Sequence, residues 1–267
     1  MRMWQWRSAL LRLALKELKV RYKSPALGVL WAFAVPLLTS VVLAFVFGRL
    51  LAAPVADVPY VLFLIAAIFP WNCVHASISA ATTSIQDNGG LIRKCPFPRY
   101  LIPESIVLAN LFNFLLTLTV VCVIVWIWRP PTSQHVWMLP GAVILQVMLT
   151  IGLALLVSAL QADYRDMKYI VEVVLLLWFY LTPIIYPAST IATFGPWARY
   201  AILINPMAGI VSLYRTALLG WTVSGAPPEM GLSTLVGWAV GTTAACLLAG
   251  WWLFHRRAPT IADVVQG

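Results

Sequence analysis

The chain has 267 residues, of which 61% are hydrophobic and 10% are charged, and its formal net charge is +9. Soluble domains are about 45–50% apolar and about 25% charged, so this composition excludes a soluble globular protein. A basic chain either binds nucleic acid or keeps its cations on the cytoplasmic side of a membrane, and the positions of Lys and Arg decide between the two.

The first predicted element is a basic amphipathic helix in "MRMWQWRSALLRLALKELKVRYK". Its cations and its apolar side chains recur at helical spacing on different faces: Arg12, Lys16, Lys19 and Lys23 on one, and Leu11, Leu15, Leu18 and Tyr22 on the other. Glu17 is spaced to pair with Arg21 one turn later. Residues 1–27 are therefore predicted to form a helix in the cytoplasmic membrane interface. A cleaved signal peptide is the alternative, but charges interrupt the apolar run and no small-residue cleavage site follows.

Six apolar runs follow, each close to or above the length of about 20 residues that crosses the hydrocarbon. They cover residues 28–51, 60–84, 101–128, 136–160, 169–187 and 231–254. Lipid permits only helices or closed barrels, and these runs are continuous rather than alternating. The sequence therefore predicts an all-α integral membrane protein that is a single domain over 1–267, with a six-helix bundle over 28–254 and a cytoplasmic tail over 255–267.

The Lys and Arg residues, 18 in all, are distributed unevenly between the two sides of this topology. One side holds both termini and the second and fourth loops, with Arg2, Arg7, Arg12, Lys16, Lys19, Arg21, Lys23, Arg93, Lys94, Arg99, Arg165, Lys168, Arg256 and Arg257. The other side holds Arg49, Arg129, Arg199 and Arg215. The positive-inside rule then predicts that both termini are cytoplasmic, and it explains the net charge without a nucleic-acid partner.

The second and third predicted spans are separated by the cytoplasmic stretch "DNGGLIRKCPFPRYLIP", residues 87–103. Its Asn-Gly-Gly ends a helix, and Pro96 and Pro98 prevent another long one. Leu91 to Lys94 is predicted to form about one helical turn, with Pro103 in the first turn of the third span. A short, stiff, basic element is suited to docking on a partner, and an ordinary positive-inside loop is the alternative.

The fifth and sixth predicted spans are joined by a long external segment. In "INPMAGIVSLYRTALLG", Asn205 is a predicted N-cap, Pro206 takes the first helical position and Gly220 ends the helix. This helix contains Arg215 and is too short and too polar to span a membrane. Upstream, "LTPIIYPASTIATFGPWARY" is interrupted by prolines that include Pro183 and Pro187. We expect the two parts to form a periplasmic re-entrant hairpin, whereas a surface-lying amphipathic helix is the alternative.

Motifs of catalysis are absent from the sequence. It contains no G-x-x-x-x-G-K-[ST], no H-E-x-x-H and no nucleophile elbow. The cysteines, Cys73, Cys95, Cys122 and Cys246, have no metal-ligand spacing. His75 is the only ionisable residue deep in a predicted span, whereas Glu104 and Glu172 lie near cytoplasmic helix ends. A lone histidine in a span is a functional candidate, although a structural hydrogen bond is the more common explanation. We expect no catalytic and no metal site.

Several stretches resemble, in order, the permease subunits of bacterial polysaccharide-exporting ABC transporters, the type-2 family that includes O-antigen exporters. They are "LKVRYKSPALGVLWAFAVPLL" (18–38), "NGGLIRKCPFPRYLIP" (88–103), "DYRDMKYIV" (163–171), "TPIIYP" (182–187), "NPMAGIVSLYRTALLG" (205–220) and "IADVV" (261–265). The chain departs from the family pattern most at Cys95 and over residues 221–230, and the second departure bears on the substrate.

The resemblance implies a homodimer of this chain in the bacterial inner membrane, bound to two copies of a separate ATPase that holds ATP and Mg. The chain itself would carry no cofactor, and it would move a lipid-linked glycan, most simply O-antigen, through a channel among membrane lipids. The coupling element toward the ATPase would comprise Asp87, Asn88, Leu91, Ile92, Arg93, Lys94, Pro98 and Arg99. Aromatic faces suit weak binding of successive sugars. The channel candidates are therefore Trp71, Asn72, Tyr180 and Tyr186, although packing or interface anchoring explains each ring as well.

Other functions are compatible with parts of this pattern. A permease for a capsular or teichoic-type polymer, or for a small molecule or drug, would share the spans. A membrane-embedded glycosyl- or acyltransferase would need acids or histidines that converge near the headgroups, which the sequence does not offer. A membrane partner without transport activity explains the fewest features.

Overall fold

The computed structural model describes residues 6–21, 27–50, 58–94, 97–128, 135–164, 166–192, 194–220 and 231–266, and in these ranges the chain forms eleven α-helices. They are α1 Arg7–Arg21, α2 Leu27–Leu43, α3 Tyr60–Asp87, α4 Gly89–Lys94, α5 Leu101–Trp128, α6 Leu139–Asp163, α7 Met167–Leu181, α8 Ala188–Ala192, α9 Pro196–Ile204, α10 Pro206–Leu219 and α11 Leu232–Gln266. A π-helical segment, Ala44–Leu50, continues α2, and a 3-10 turn, Val136–Met138, precedes α6. The predicted all-helical class is confirmed.

Four helices of the described part are long and apolar enough to cross a membrane. They are Tyr60–Asp87, Leu101–Trp128, Val136–Asp163 and Leu232–Arg257, which match the second, third, fourth and sixth predicted spans. The first predicted span contains the shorter apolar helix Ala34–Arg49. The fifth is cut short because α7 has 15 residues, a length of about 22 Å. It ends before Thr182, which is extended, as expected for the residue that precedes Pro183.

The centre of the bundle is α3, which is the most enclosed of the four long helices. Its residues from Leu62 to Trp71 are all buried. The helices α5, α6 and α10 pack around it, and α11 packs on α6 and α10. The buried residues of these helices form one large apolar core.

Glycines allow α6 and α11 to cross in backbone contact. A methyl group on Gly152 would lie 2.6 Å from Cα of Leu247, and one on Gly250 would overlap the carbonyl oxygen of Gly152. Similarly, a methyl group on Gly209 of α10 would lie 2.5 Å from the carbonyl oxygen of Leu235 in α11. Small residues of this kind are what permits close helix packing where no hydrophobic effect drives association.

The helices α9 and α10 meet at an angle of 79°. The predicted punctuation of α10 is confirmed: the side chain of Asn205 accepts a hydrogen bond from the Met207 amide, Pro206 follows, and Gly220 is left-handed with φ 61°. Every residue of α10 from Met207 to Leu219 is buried, so the alternative of a helix lying on the surface is wrong.

The N-terminal helix packs on the start of the bundle. Ala14 is buried, whereas Leu11 and Leu15 of the predicted apolar face remain exposed. Glu17 lies 3.5 Å from the Lys16 ammonium, and the side chain of its predicted partner Arg21 is outside the described residues. The same end of the molecule collects α1, α4, the end of α6 and the far end of α11, as the predicted topology requires.

Candidate functional site

The predicted coupling element is a separate short helix. After α3 ends at Asp87, the Asn88 side chain donates to the carbonyl oxygen of Ser84 at 3.0 Å, and α4 begins at Gly89. The Leu91–Lys94 turn predicted from sequence is thus confirmed, and it starts two residues earlier. Cys95 and Pro96 lie outside the described residues.

The two faces of α4 have different surroundings. Arg93 and Lys94 are exposed, as is Asp87 just before the helix. Ile92, in contrast, packs inward against a small apolar cluster that includes Phe97 and Phe254. Leu91, Pro98 and Arg99 are half-buried. The basic face of α4 is therefore free to meet a partner, whereas Ile92 fixes the helix to its own chain.

Contacts from α1 and α11 hold this segment. The Lys16 ammonium of α1 donates to Oδ1 of Asn88 at 2.6 Å. The Tyr100 ring lies 5.5 Å from that of Trp251 and 6.0 Å from that of His255, both in α11. Arg257 of α11 forms an ion pair with Asp163 at the end of α6. The segment is therefore built into the bundle and is not a loose loop.

A groove of about 470 Å³, whose mainly apolar lining carries a few polar side chains, runs between α2, α3 and α7. Its described lining includes Thr39, Trp71, Asn72, His75, Glu172 and Phe179. Glu172 accepts a hydrogen bond from the Ser79 hydroxyl, and its other oxygen lies 4.0 Å from Nε2 of His75.

Glu172 does not lie where its sequence position alone suggests. It is in the second turn of α7, near a helix end. The packing of α7 on α3 nevertheless brings it beside His75, close to the middle of the 28-residue α3. The sequence does not reveal this pair, because only tertiary packing sets the two helices side by side.

The four predicted channel residues have different environments. Trp71 is 3% exposed and packs edge-on against Trp178 at 5.3 Å. Asn72 borders both the groove and a second cavity toward α5. Tyr180 is 59% exposed, whereas the half-buried Tyr186 donates its hydroxyl to the Tyr180 carbonyl oxygen at 2.6 Å. The structure brings Trp71 and Asn72 to one groove and leaves the Tyr180 ring open on α7.

The predicted hairpin residues meet around Arg215, whose exposed fraction is 1%. Its guanidinium donates to the carbonyl oxygens of Pro183 at 2.7 Å and Ile184 at 2.6 Å, and it also bonds the carbonyl oxygen of Phe63 at 3.3 Å. Pro183 and Pro187 are buried. The arginine that made α10 look too polar for a membrane thus satisfies the carbonyl groups of the turn that ends α7.

Asn205 links the same turn to the start of α10. Its Oδ1 accepts from the Trp178 indole at 2.9 Å as well as from the Met207 amide at 3.1 Å. Its Nδ2 donates to the Thr182 hydroxyl at 3.0 Å. One side chain therefore caps α10 and positions the end of α7.

Residues 8–219 match the family described as ABC-2 type transporter, which is most of the chain. The chain belongs to the ABC-2 transporter family. The matched region of this ABC-2 chain contains α4, the groove, Asn205 and Arg215. The resemblance predicted from the sequence is confirmed.

Curated ABC-2 relatives carry names of polysaccharide export. The chain is similar to the O-antigen export system permease protein RfbA of Myxococcus xanthus, with 31% identity over 90% of this chain and 92% of the relative. A protein of the same name from Klebsiella pneumoniae is 34% identical over 78% of this chain and 79% of its own length. The polysialic acid transport protein KpsM of Escherichia coli is 21% identical over 79% of this chain and 81% of its own length.

Proposed function

We propose that this chain is the permease subunit of an ATP-driven exporter that moves a lipid-linked polysaccharide, and most simply O-antigen, across the bacterial inner membrane. The observation that carries the proposal is the similarity, over nine-tenths of the chain, to a permease named for O-antigen export. A capsular-type polymer is the second candidate, favoured by the weaker similarity to polysialic acid transport proteins.

The proposed assembly contains two copies of this chain and two copies of a separate ATPase that binds ATP and Mg. The chain itself binds no nucleotide in this proposal, because its sequence has no phosphate-binding loop. Six passes with both termini in the cytoplasm follow if α2 and α7 are counted as short spans. The gathering of α1, α4 and the ends of α6 and α11 at one end of the bundle supports this arrangement.

The basic face of α4 is the proposed docking surface for the ATPase. Exposed Arg93 and Lys94 supply charge that an acidic groove would recognise, while Ile92 and the Tyr100 contacts pass displacement of α4 to the bundle. The surface is completed or supported by Asp87, Asn88, Leu91, Pro98 and Arg99.

The bent pair α9–α10 is the proposed re-entrant hairpin, entering from the periplasmic side.

The glycan path is proposed along α3 and α7. Tyr180 and Asn72 offer open surface to it, Tyr186 orients the Tyr180 backbone, and the Trp71 ring supports this wall from behind. Membrane lipids cover the remaining apolar faces.

The test is the loss and recovery of surface glycan in cells whose own copy of the chain is deleted. Deletion is expected to remove the glycan, and the plasmid-borne chain to restore it. The exchange Lys94→Glu should abolish the recovery of surface glycan. It should also abolish the stimulation of ATP hydrolysis by the partner ATPase, while the purified protein stays folded. The matched exchange Arg49→Glu, at an exposed cation remote from α4, should restore export normally. Unchanged surface glycan in the deletion strain would contradict the proposed function.

A further inference from the structure

The groove between α2, α3 and α7 contains two ionisable side chains that are open to their surroundings. The exposed fractions of the His75 and Glu172 side chains are 40% and 45%. Both lie at the level of the middle of α3, within a largely apolar bundle. An ionisable group at such a depth is costly against lipid and is found facing protein or a water-filled path. This face of α3 and α7 therefore does not face hydrocarbon.

Two hydrogen-bonding groups of the groove, on Glu172 and Thr39, are held by partners within the chain. The Ser79 hydroxyl holds one oxygen of Glu172, which leaves the other oxygen directed toward His75. On the opposite wall, the Thr39 hydroxyl donates to the Val35 carbonyl oxygen at 2.8 Å, so its oxygen remains available as an acceptor. Asn72 adds an amide to the same lining. Donors and acceptors thus line the same concave space.

An aromatic face adjoins these polar groups. The half-buried Phe179 ring lies in the lining and is supported by Trp71 at 5.7 Å and by Tyr180 at 5.3 Å. The volume of about 470 Å³ is within the range of about 300–1,000 Å³ that is usual for small-ligand sites. A supported ring beside fixed hydrogen-bonding groups matches a pyranose, which has an apolar face and a rim of hydroxyls.

The charged residues that line the groove indicate whether it would bind a neutral or an anionic sugar. Among the described residues that line it, Glu172 is the only carboxylate and none is Lys or Arg. A carboxylate without a neighbouring fixed cation repels anionic polymers.

We infer that this groove is a binding site for an uncharged pyranose of the transported polymer, with Glu172 and His75 bonded to adjacent hydroxyls and Phe179 against the ring face. The inference rests on the proposed function and adds the class of sugar and the residues that select it. It favours a neutral glycan over a polyanionic one as the cargo.

The test is site-specific photo-cross-linking in cells that contain the whole exporter. A benzoylphenylalanine at Leu176, an exposed residue of the groove, is expected to give an adduct that a periodate-based glycan stain detects. The same group at Leu248, which is exposed on α11, should give none. Glu172→Ala should lower the adduct at position 176 about tenfold, the effect of losing one hydrogen bond to a charged group. Val174→Ala, an exposed neighbour on α7 outside the lining, should leave it unchanged.

Competition tests the charge preference. A soluble neutral glucose oligomer added to the exporter in nanodiscs should reduce labelling at position 176, and an oligosialic acid of equal length should not. Equal competition by both would overturn the preference for uncharged sugar. A stain-negative adduct of twice the chain mass would show a contact between two permease copies and overturn the sugar site. A missing adduct in cells that export glycan normally would overturn it too, whereas glycan that persists after deletion of the chain identifies failure of the proposed function itself.

Discussion

The guanidinium carbon of Arg215 lies 3.4 Å from the centre of the Phe63 ring, so a cation from α10 is stacked on an aromatic side chain of α3 inside the protein. The same guanidinium holds the carbonyl oxygens of Pro183 and Ile184. Planarity allows one group to do both, because the face stacks while the edge donates hydrogen bonds.

Replacing Arg215 with Lys is therefore expected to destabilise the protein although the charge is kept. Lysine cannot stack and reach both carbonyl groups, and the buried carbonyl left without a donor costs about 1–3 kcal/mol. The measurement is the fraction of monodisperse protein after a temperature ramp in detergent. Arg49→Lys, at an exposed arginine, is the control and should melt like the unaltered chain. Equal melting of the two variants would contradict the role given to Arg215.

Substitution of glycine by alanine should have opposite effects at different sites of α11. At Gly250 the added methyl group meets the Gly152 carbonyl oxygen, so the helices must separate and the folded yield should fall. At Gly241 nothing lies within 4 Å, and alanine should be neutral or stabilising by up to about 1 kcal/mol, because it favours helix more than glycine does. The measurements are the melting temperature and the expression level of both variants. A well-folded Gly250→Ala protein would show that the crossing is looser than described.

Alanine substitutions at Trp71 and Tyr180 should have different effects, the first on stability and the second on glycan export. Trp71→Ala removes a buried ring and is expected to cost about 3–5 kcal/mol of stability, seen as poor assembly with the ATPase. Tyr180→Ala removes an exposed ring, so assembly and basal ATP hydrolysis should be kept while the amount of exported glycan falls. Normal export by Tyr180→Ala would remove this residue from the path.

Local signals in the sequence predicted local structure well. Asn205, Pro206 and Gly220 delimit α10 as expected, because caps and terminators act through the backbone next to them. Hydropathy located four long helices correctly but extended the fifth span through Pro183, since it measures polarity and not backbone hydrogen bonding. The environment of Arg215 was predictable only in part. Prolines that leave carbonyl groups unpaired, followed by one arginine in an apolar helix, are a usable signal, but the contact with Phe63 depends on packing across the chain.

The proximity of His75 and Glu172 could not be predicted from local sequence signals. The two residues are far apart in the sequence, and each has an ordinary explanation by itself. Their proximity follows from the way α7 packs on α3, which neither helix specifies alone.

The long helix α11 contacts both α10 and the Tyr100 side chain next to α4. Near its start, Leu235 lies against Gly209 of α10, and near its end, Trp251 and His255 lie against Tyr100 beside the predicted coupling segment. The 17 residues from Leu235 to Trp251 extend about 24 Å in a helix, which resists compression along its axis. Backbone contacts at Gly152, Gly250 and Gly209 hold α11 against α6 and α10, so we expect a displacement at Tyr100 to be passed along α11 toward the start of α10. In the proposed exporter, a nucleotide-driven movement at the coupling segment and an opening near the α9–α10 bend would then be linked through the axis of α11.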